Sequence, residues 1–84
     1  HRTKSYHTAA ISDLKNAAIA QEAYYVDTRR YTNDVSVLTA NPYNLSVSQG
    51  VSMAVASANN EAYLMTAYHS AGTMTFTLQD QADA

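Results

Sequence analysis

Residues 3–27 read TKSYHTAAISDLKNAAIAQEAYYVD, and this stretch decides the fold. It contains no glycine or proline and is rich in alanine, the best helix former. At about 100° per residue, His7, Ile11, Leu14, Ala18, Gln21 and Tyr25 fall on one side. Asp13, Ala20, Asp27, Asn16 and Ala9 fall roughly opposite, and Ile19 with Val26 makes a second apolar seam. The spacing predicts one amphipathic helix over about 3–27. At about 1.5 Å per residue it would run to nearly 40 Å. That exceeds the reach of a small core, so the N-terminal turns are expected to project.

Working outward, the helix is expected to stop near Thr28, with Arg29 and Arg30 at the negative end of its dipole. A connecting region follows over about 28–44. In it Asn33 or Asp34 can cap a short turn carrying Val35, Val37 and Leu38, which Asn41-Pro42 ends. From Leu45 the period changes to two. Val51, Met53 and Val55 alternate with Ser52, Ala54 and Ala56; later Met74, Phe76 and Leu78 alternate with threonines. Between them lies a strand over 62–69, bounded by the turn signals Asn59-Asn60 and Ser70-Ala71-Gly72. Its inward set is either Tyr63, Met65 and Ala67 or Leu64 and Tyr68. Short turns require antiparallel neighbours, so 45–80 reads as a meander of three strands, or four if Leu45 to Ser48 adds one. Asp80 to Ala84 are expected to fray.

The sheet needs a cover, and the helix stripe supplies it. The predicted class is α+β: one long helix on a small antiparallel sheet, a single domain over 1–84. The expected core is Ile11, Leu14, Ala18, Tyr25, Val51, Met53, Val55, Met74, Phe76 and Leu78.

Composition bounds the function. A chain of 84 residues buries a modest core, and without cysteine neither disulfides nor thiolate metal sites reinforce it. A net charge of −2, with 14% charged residues, gives no electrostatic signal for nucleic acid. The most apolar run, Ala17 to Val26, is broken by Gln21 and Glu22 and is too short to span a bilayer. The chain opens on His1, which reads as the scar of a cut tag or the start of a processed chain; either way further residues are expected upstream, where a membrane segment can lie.

Catalytic signatures do not emerge, and no enzyme activity or cofactor is expected. There is no cysteine nucleophile, no nucleophile elbow and no phosphate-binding glycine loop. His1, His7 and His69 lack metal-ligand spacing, and Asp80 with Asp83 falls short of the six to eight oxygens calcium takes. The seven tyrosines read first as packing residues with hydroxyls at the surface, and second as subunit-interface residues. A face lacking bulk, formed by Ala9, Asp13, Asn16, Ala20 and Ala23, reads either as helix propensity alone or as the candidate interface with a neighbouring helix, because small side chains permit close approach.

Ala10-Ile11-Ser12-Asp13-Leu14-Lys15-Asn16-Ala17, then Gln21-Glu22-Ala23-Tyr24-Tyr25, then Tyr31-Thr32 resembles the helix and exit of type IV pilins. Gly50-Val51 entering a strand, and Tyr63 to His69 followed by Gly72, is similar to their sheet. The resemblance covers nearly the whole chain as a pattern of residue types. It implies a filament subunit whose apolar helical half, preceding this sequence, anchors it in the inner membrane and later packs in the filament. It implies self-association, contact with pilus or secretion machinery, and an extracellular pilus; a periplasmic pseudopilus of a secretion system is the alternative. A stand-alone binding module for a ligand or surface is the competing reading from another class. Two departures are the absence of the cysteine-closed C-terminal loop of many pilins and the small size of the head.

Overall fold

The computed structural model describes residues 2–79, with side chains from Tyr6 onward. Helix α1 spans Arg2–Thr28, a short helix α2 spans Val35–Thr39, and three strands follow: β1 (Val51–Ala58), β2 (Tyr63–His69) and β3 (Thr75–Gln79). The strands form an antiparallel sheet in the order β1-β2-β3. The chain is therefore α+β, a long helix on a three-stranded meander. The predicted fraying of Asp80 to Ala84 and the Asp80–Asp83 pair lie outside the described residues, as does His1.

Helix α1 rests chiefly on the central strand β2. Tyr63, Met65 and Ala67 of β2 are buried beneath it, which settles the register left open by the sequence. Across the inner face, Met65 stands between Val55 and Leu78, and Ala67 between Met53 and Phe76. One irregularity interrupts the alternation. Between Val55 and Ser57 the β1–β2 register shifts, leaving Ala56 as the extra residue of a bulge. As a result Ala58, two residues past the bulge, joins the inward set.

The face of α1 that meets the sheet is not the expected stripe. Its buried residues are Ala10, Asp13, Leu14, Ala17, Ala20 and Gln21. The helix is turned by roughly 70° about its axis from the orientation that large apolar residues suggest. Ile11 is exposed and Ala18 only half-buried, so both leave the predicted core; Leu14 remains in it. The physical reason is complementarity. Tyr63 and Met65 rise from the sheet, and alanines opposite them let the helix backbone come close, filling the layer at native density. Met74, also predicted inside, is 55% exposed because it lies before β3 begins.

Two buried polar side chains fix this orientation. Gln21 pairs with the backbone of Thr32 in both directions: the Thr32 N–H donates to Oε1 at 3.0 Å, and Nε2 donates to the Thr32 carbonyl at 2.9 Å. This copies a strand-to-strand pair and locks the helix exit against α1. Asp13 does the same for the connection to the sheet, accepting from the Ser48 N–H at 2.7 Å and the Ser48 hydroxyl at 3.0 Å. With Ser48 committed to a side chain, residues 45–48 form no strand, and the optional fourth strand is absent among the described residues. Leu45 anchors that segment instead, buried, with its N–H donating to the Leu38 carbonyl.

The termini of the helices follow local chemistry. Thr28 donates its hydroxyl to the Tyr24 carbonyl, and Arg29 turns left-handed at φ 62 while its N–H reaches the Tyr25 carbonyl. Asp34 caps α2 by accepting from the Ser36 hydroxyl at 2.6 Å and the Ser36 N–H at 3.0 Å, and these bonds, the hydroxyl's foremost, hold its carboxyl pKa below the ordinary value. At the other end of α1, His7 accepts from the Thr73 N–H at 3.1 Å and touches Phe76 edge-on. Tyr6 stacks on His69, whose Nδ1 accepts from the Ala71 N–H. The helix is thus tied to the β2–β3 turn from Tyr6 onward, so the projection predicted for its first turns does not extend to this point.

Candidate functional site

The five residues of the predicted small face do not act as one surface. Asp13 and Ala20 are buried against the sheet and its approach, Ala9 is half-buried, and Asn16 and Ala23 are exposed. Asp13 is closed over by its two bonds to Ser48, while Ala20 shows only a sliver of surface, at the floor of an open hollow. The face as drawn from the helical wheel is corrected accordingly.

Turning the helix brings a different surface out. Ile11, Lys15, Ile19, Glu22 and Val26 share an arc of about 80° on the outer side of α1. Ile19 is 69% exposed and Val26 75% exposed. Apolar side chains so open on a helix that already buries another face are the departure that calls for explanation; isolated exposed leucines or valines elsewhere would not. Lys15 and Glu22, interleaved with them, are also exposed. Alongside the ridge runs an open hollow of about 330 Å³, bordered by Ile19, Ala23, Pro42, Tyr43 and Asn44. Asn16 and Ala23, the two exposed members of the small face, sit at this hollow with Ala20 at its floor, so that part of the earlier prediction falls beside the ridge.

Tyrosines gather at the C-terminal end of α1. Tyr25 stacks on Tyr31 at 4.9 Å between ring centroids, and Tyr31 meets Tyr63 edge-on at 4.8 Å. Tyr24 meets Tyr43 edge-on at 5.5 Å. The Tyr43 hydroxyl donates to Asp27 at 2.7 Å. That bond, with some desolvation and the nearby negative charge, pushes the phenol up to about 12. Sequence alone gave the tyrosines as packing residues but not this arrangement, because it depends on the chain reversing after Arg29. Tyr68, by contrast, lies on the outer face of β2 and is exposed.

Among the described residues no three His, Asp or Glu side chains converge as metal ligands. No described helix is long and apolar enough to cross a membrane. No protein-family model and no curated protein matches the chain.

Proposed function

We propose that this chain is the head of a type IV pilin-like subunit that assembles into a filament through the outer ridge of α1. The observation that carries the reading is the two-sided helix. Its alanine-rich side is used by its own sheet, while Ile11, Ile19 and Val26 face away from it. A long helix displaying an apolar seam opposite its sheet is suited to packing against copies of itself, and repeated head-to-tail contacts that do not close produce a fibre. The pilin-like sequence pattern over 10–32 supports the same conclusion.

On this reading the encoded protein carries about 20 apolar residues upstream of His1, sits in a bacterial inner membrane before assembly, and ends in an extracellular filament. Its partners are its own copies and the assembly machinery, and no catalysis is involved. The experiment is expression of the full gene in its host with Ile19→Lys. Wild type yields fibres by electron microscopy. The variant yields folded subunits retained at the membrane and no fibres. Normal fibres from Ile19→Lys, or a gene that encodes no apolar segment upstream, overturn the proposal.

A further inference from the structure

Where α1 ends, the chain forms an open cleft of about 480 Å³. Its walls are Tyr24 from the helix, the exit from Arg30 to Asn33, and the β1–β2 turn from Ala58 to Asn60. The Tyr31 N–H donates to the Asn59 carbonyl at 3.0 Å, which holds the two walls together. Asn59 Oδ1 accepts from the Glu61 and Ala62 N–H groups at 2.7 and 2.9 Å, so the turn is braced and the Asn59 amide nitrogen is left over. Gln21 braces the opposite wall through both polar groups of the Thr32 backbone. The cleft is therefore a preformed concavity in the chain, held by four hydrogen bonds from buried or braced groups and by the Tyr31–Asn59 bond.

The fold does not use the polar groups that line it. Among the described residues the Arg30 guanidinium, the Tyr24 hydroxyl and the side-chain amides of Asn33 and Asn60 have no partner within the chain. We propose that this cleft binds an acidic saccharide, a hexuronate or similar carboxylated sugar. The Arg30 fork matches a carboxylate in two parallel hydrogen bonds, which a neutral sugar cannot supply. Carboxamides both donate and accept, and so do the vicinal hydroxyls of a sugar ring. The Tyr24 ring adds an apolar wall ending in a hydroxyl. Arg30 disfavours a cationic ligand, and the polar lining offers no pocket for apolar side chains of a peptide. The cleft shares no residue with the ridge of α1, so this site stands independently of the filament reading.

The test is a nuclear magnetic resonance titration of the 84-residue chain with sodium glucuronate, with glucose, sodium acetate and a tri-aspartate peptide as comparisons. Glucuronate is expected to shift the backbone amides of Thr32, Asn33, Asn59 and Asn60 with a dissociation constant of about 1–10 mM, and glucose and acetate to bind about tenfold more weakly. Arg30→Ala, at an exposed position, should keep the folded spectrum and bring glucuronate to the level of glucose, and Asn33→Ala should weaken both sugars. No saturable shift with glucuronate overturns the proposal. So does acetate binding as well as glucuronate, which marks a bare anion patch, or tri-aspartate binding more tightly, which marks an acidic-peptide site.

Discussion

Replacing Gln21 removes the joint between α1 and its exit. The side chain is fully buried and satisfies both the N–H and the carbonyl of Thr32. Gln21→Leu keeps similar volume but strands those two backbone groups in a dry environment. Each unpaired buried group costs about 1–3 kcal/mol, so the expected loss is roughly 2–6 kcal/mol. A chain of this length has a total stability of about 4–13 kcal/mol at typical values per residue, so the variant is expected to be partly unfolded or to melt at least about 8 °C lower. Gln21→Glu separates polar pairing from packing. When protonated, the new carboxyl can accept from the Thr32 N–H and donate to the Thr32 carbonyl, restoring both bonds. When ionised it cannot donate and is buried without a cation. Burial raises its folded-state pKa above the ordinary value of about 4.3. Between those two values the folded state holds the proton and the unfolded state does not, so stability falls as pH rises through that window and then levels off. Urea denaturation followed by circular dichroism at pH 4 and pH 7 reads both variants. A loss below about 0.5 kcal/mol for Gln21→Leu, or a pH-independent Gln21→Glu, would refute the reasoning.

Other perturbations probe different joints. Asp13→Ala frees the Ser48 N–H and hydroxyl, and bonds to a charged acceptor are worth about 1.5–3 kcal/mol each, so a loss of at least about 2 kcal/mol by urea denaturation is expected. Ala17→Lys should unfold the chain because the site is fully buried, whereas Ile19→Lys should change stability by no more than about 0.5 kcal/mol; a reversed order would mean the helix faces the other way. Arg29→Gly relieves a left-handed backbone that costs a side-chain-bearing residue about 1–2 kcal/mol and should stabilise by up to about 1 kcal/mol after the extra entropy of glycine; clear destabilisation in the same assay would refute it. The Tyr43 phenol, raised by its bond to Asp27, should ionise near 12 in a phenolate absorbance titration. Because the folded value lies above the unfolded one, that bond stabilises the fold below about pH 10 and is lost as pH rises through about 12; Tyr43→Phe should lower the absorbance change around that pH by one phenol.

The strands were legible because one face of each is wet and the other dry, which writes a period of two directly into Val51, Met53 and Val55 and into Phe76 and Leu78. The existence of α1 was legible from composition, as was the cap at Asp34. Its facing was not. A helical wheel weights bulky apolar residues, yet a close helix-to-sheet contact selects small ones, and here Ala10, Ala17 and Ala20 went inward while Ile11 and Ile19 went out. Asp13 and Gln21 among those alanines were the available signal. A carboxylate and a carboxamide on an otherwise small face mark where a helix meets loop backbone that needs partners. The bulge at Ala56 carried no such mark, since alanine and serine fit either side of the sheet. The cleft was invisible for another reason: Tyr24, Arg30 and Asn60 become neighbours only through the Tyr31–Asn59 backbone bond.

The account turns on what the outer ridge of α1 contacts. The chain has no native cysteine, so Ile19→Cys places a single thiol on that ridge. The decisive measurement is the rate of maleimide labelling of this thiol in isolated subunits and in material assembled by the host, with Thr75→Cys on the exposed sheet surface as the reference. The account predicts fast labelling at position 19 in the isolated subunit and strong protection in the assembly, relative to position 75. Equal labelling of position 19 in both states would contradict it.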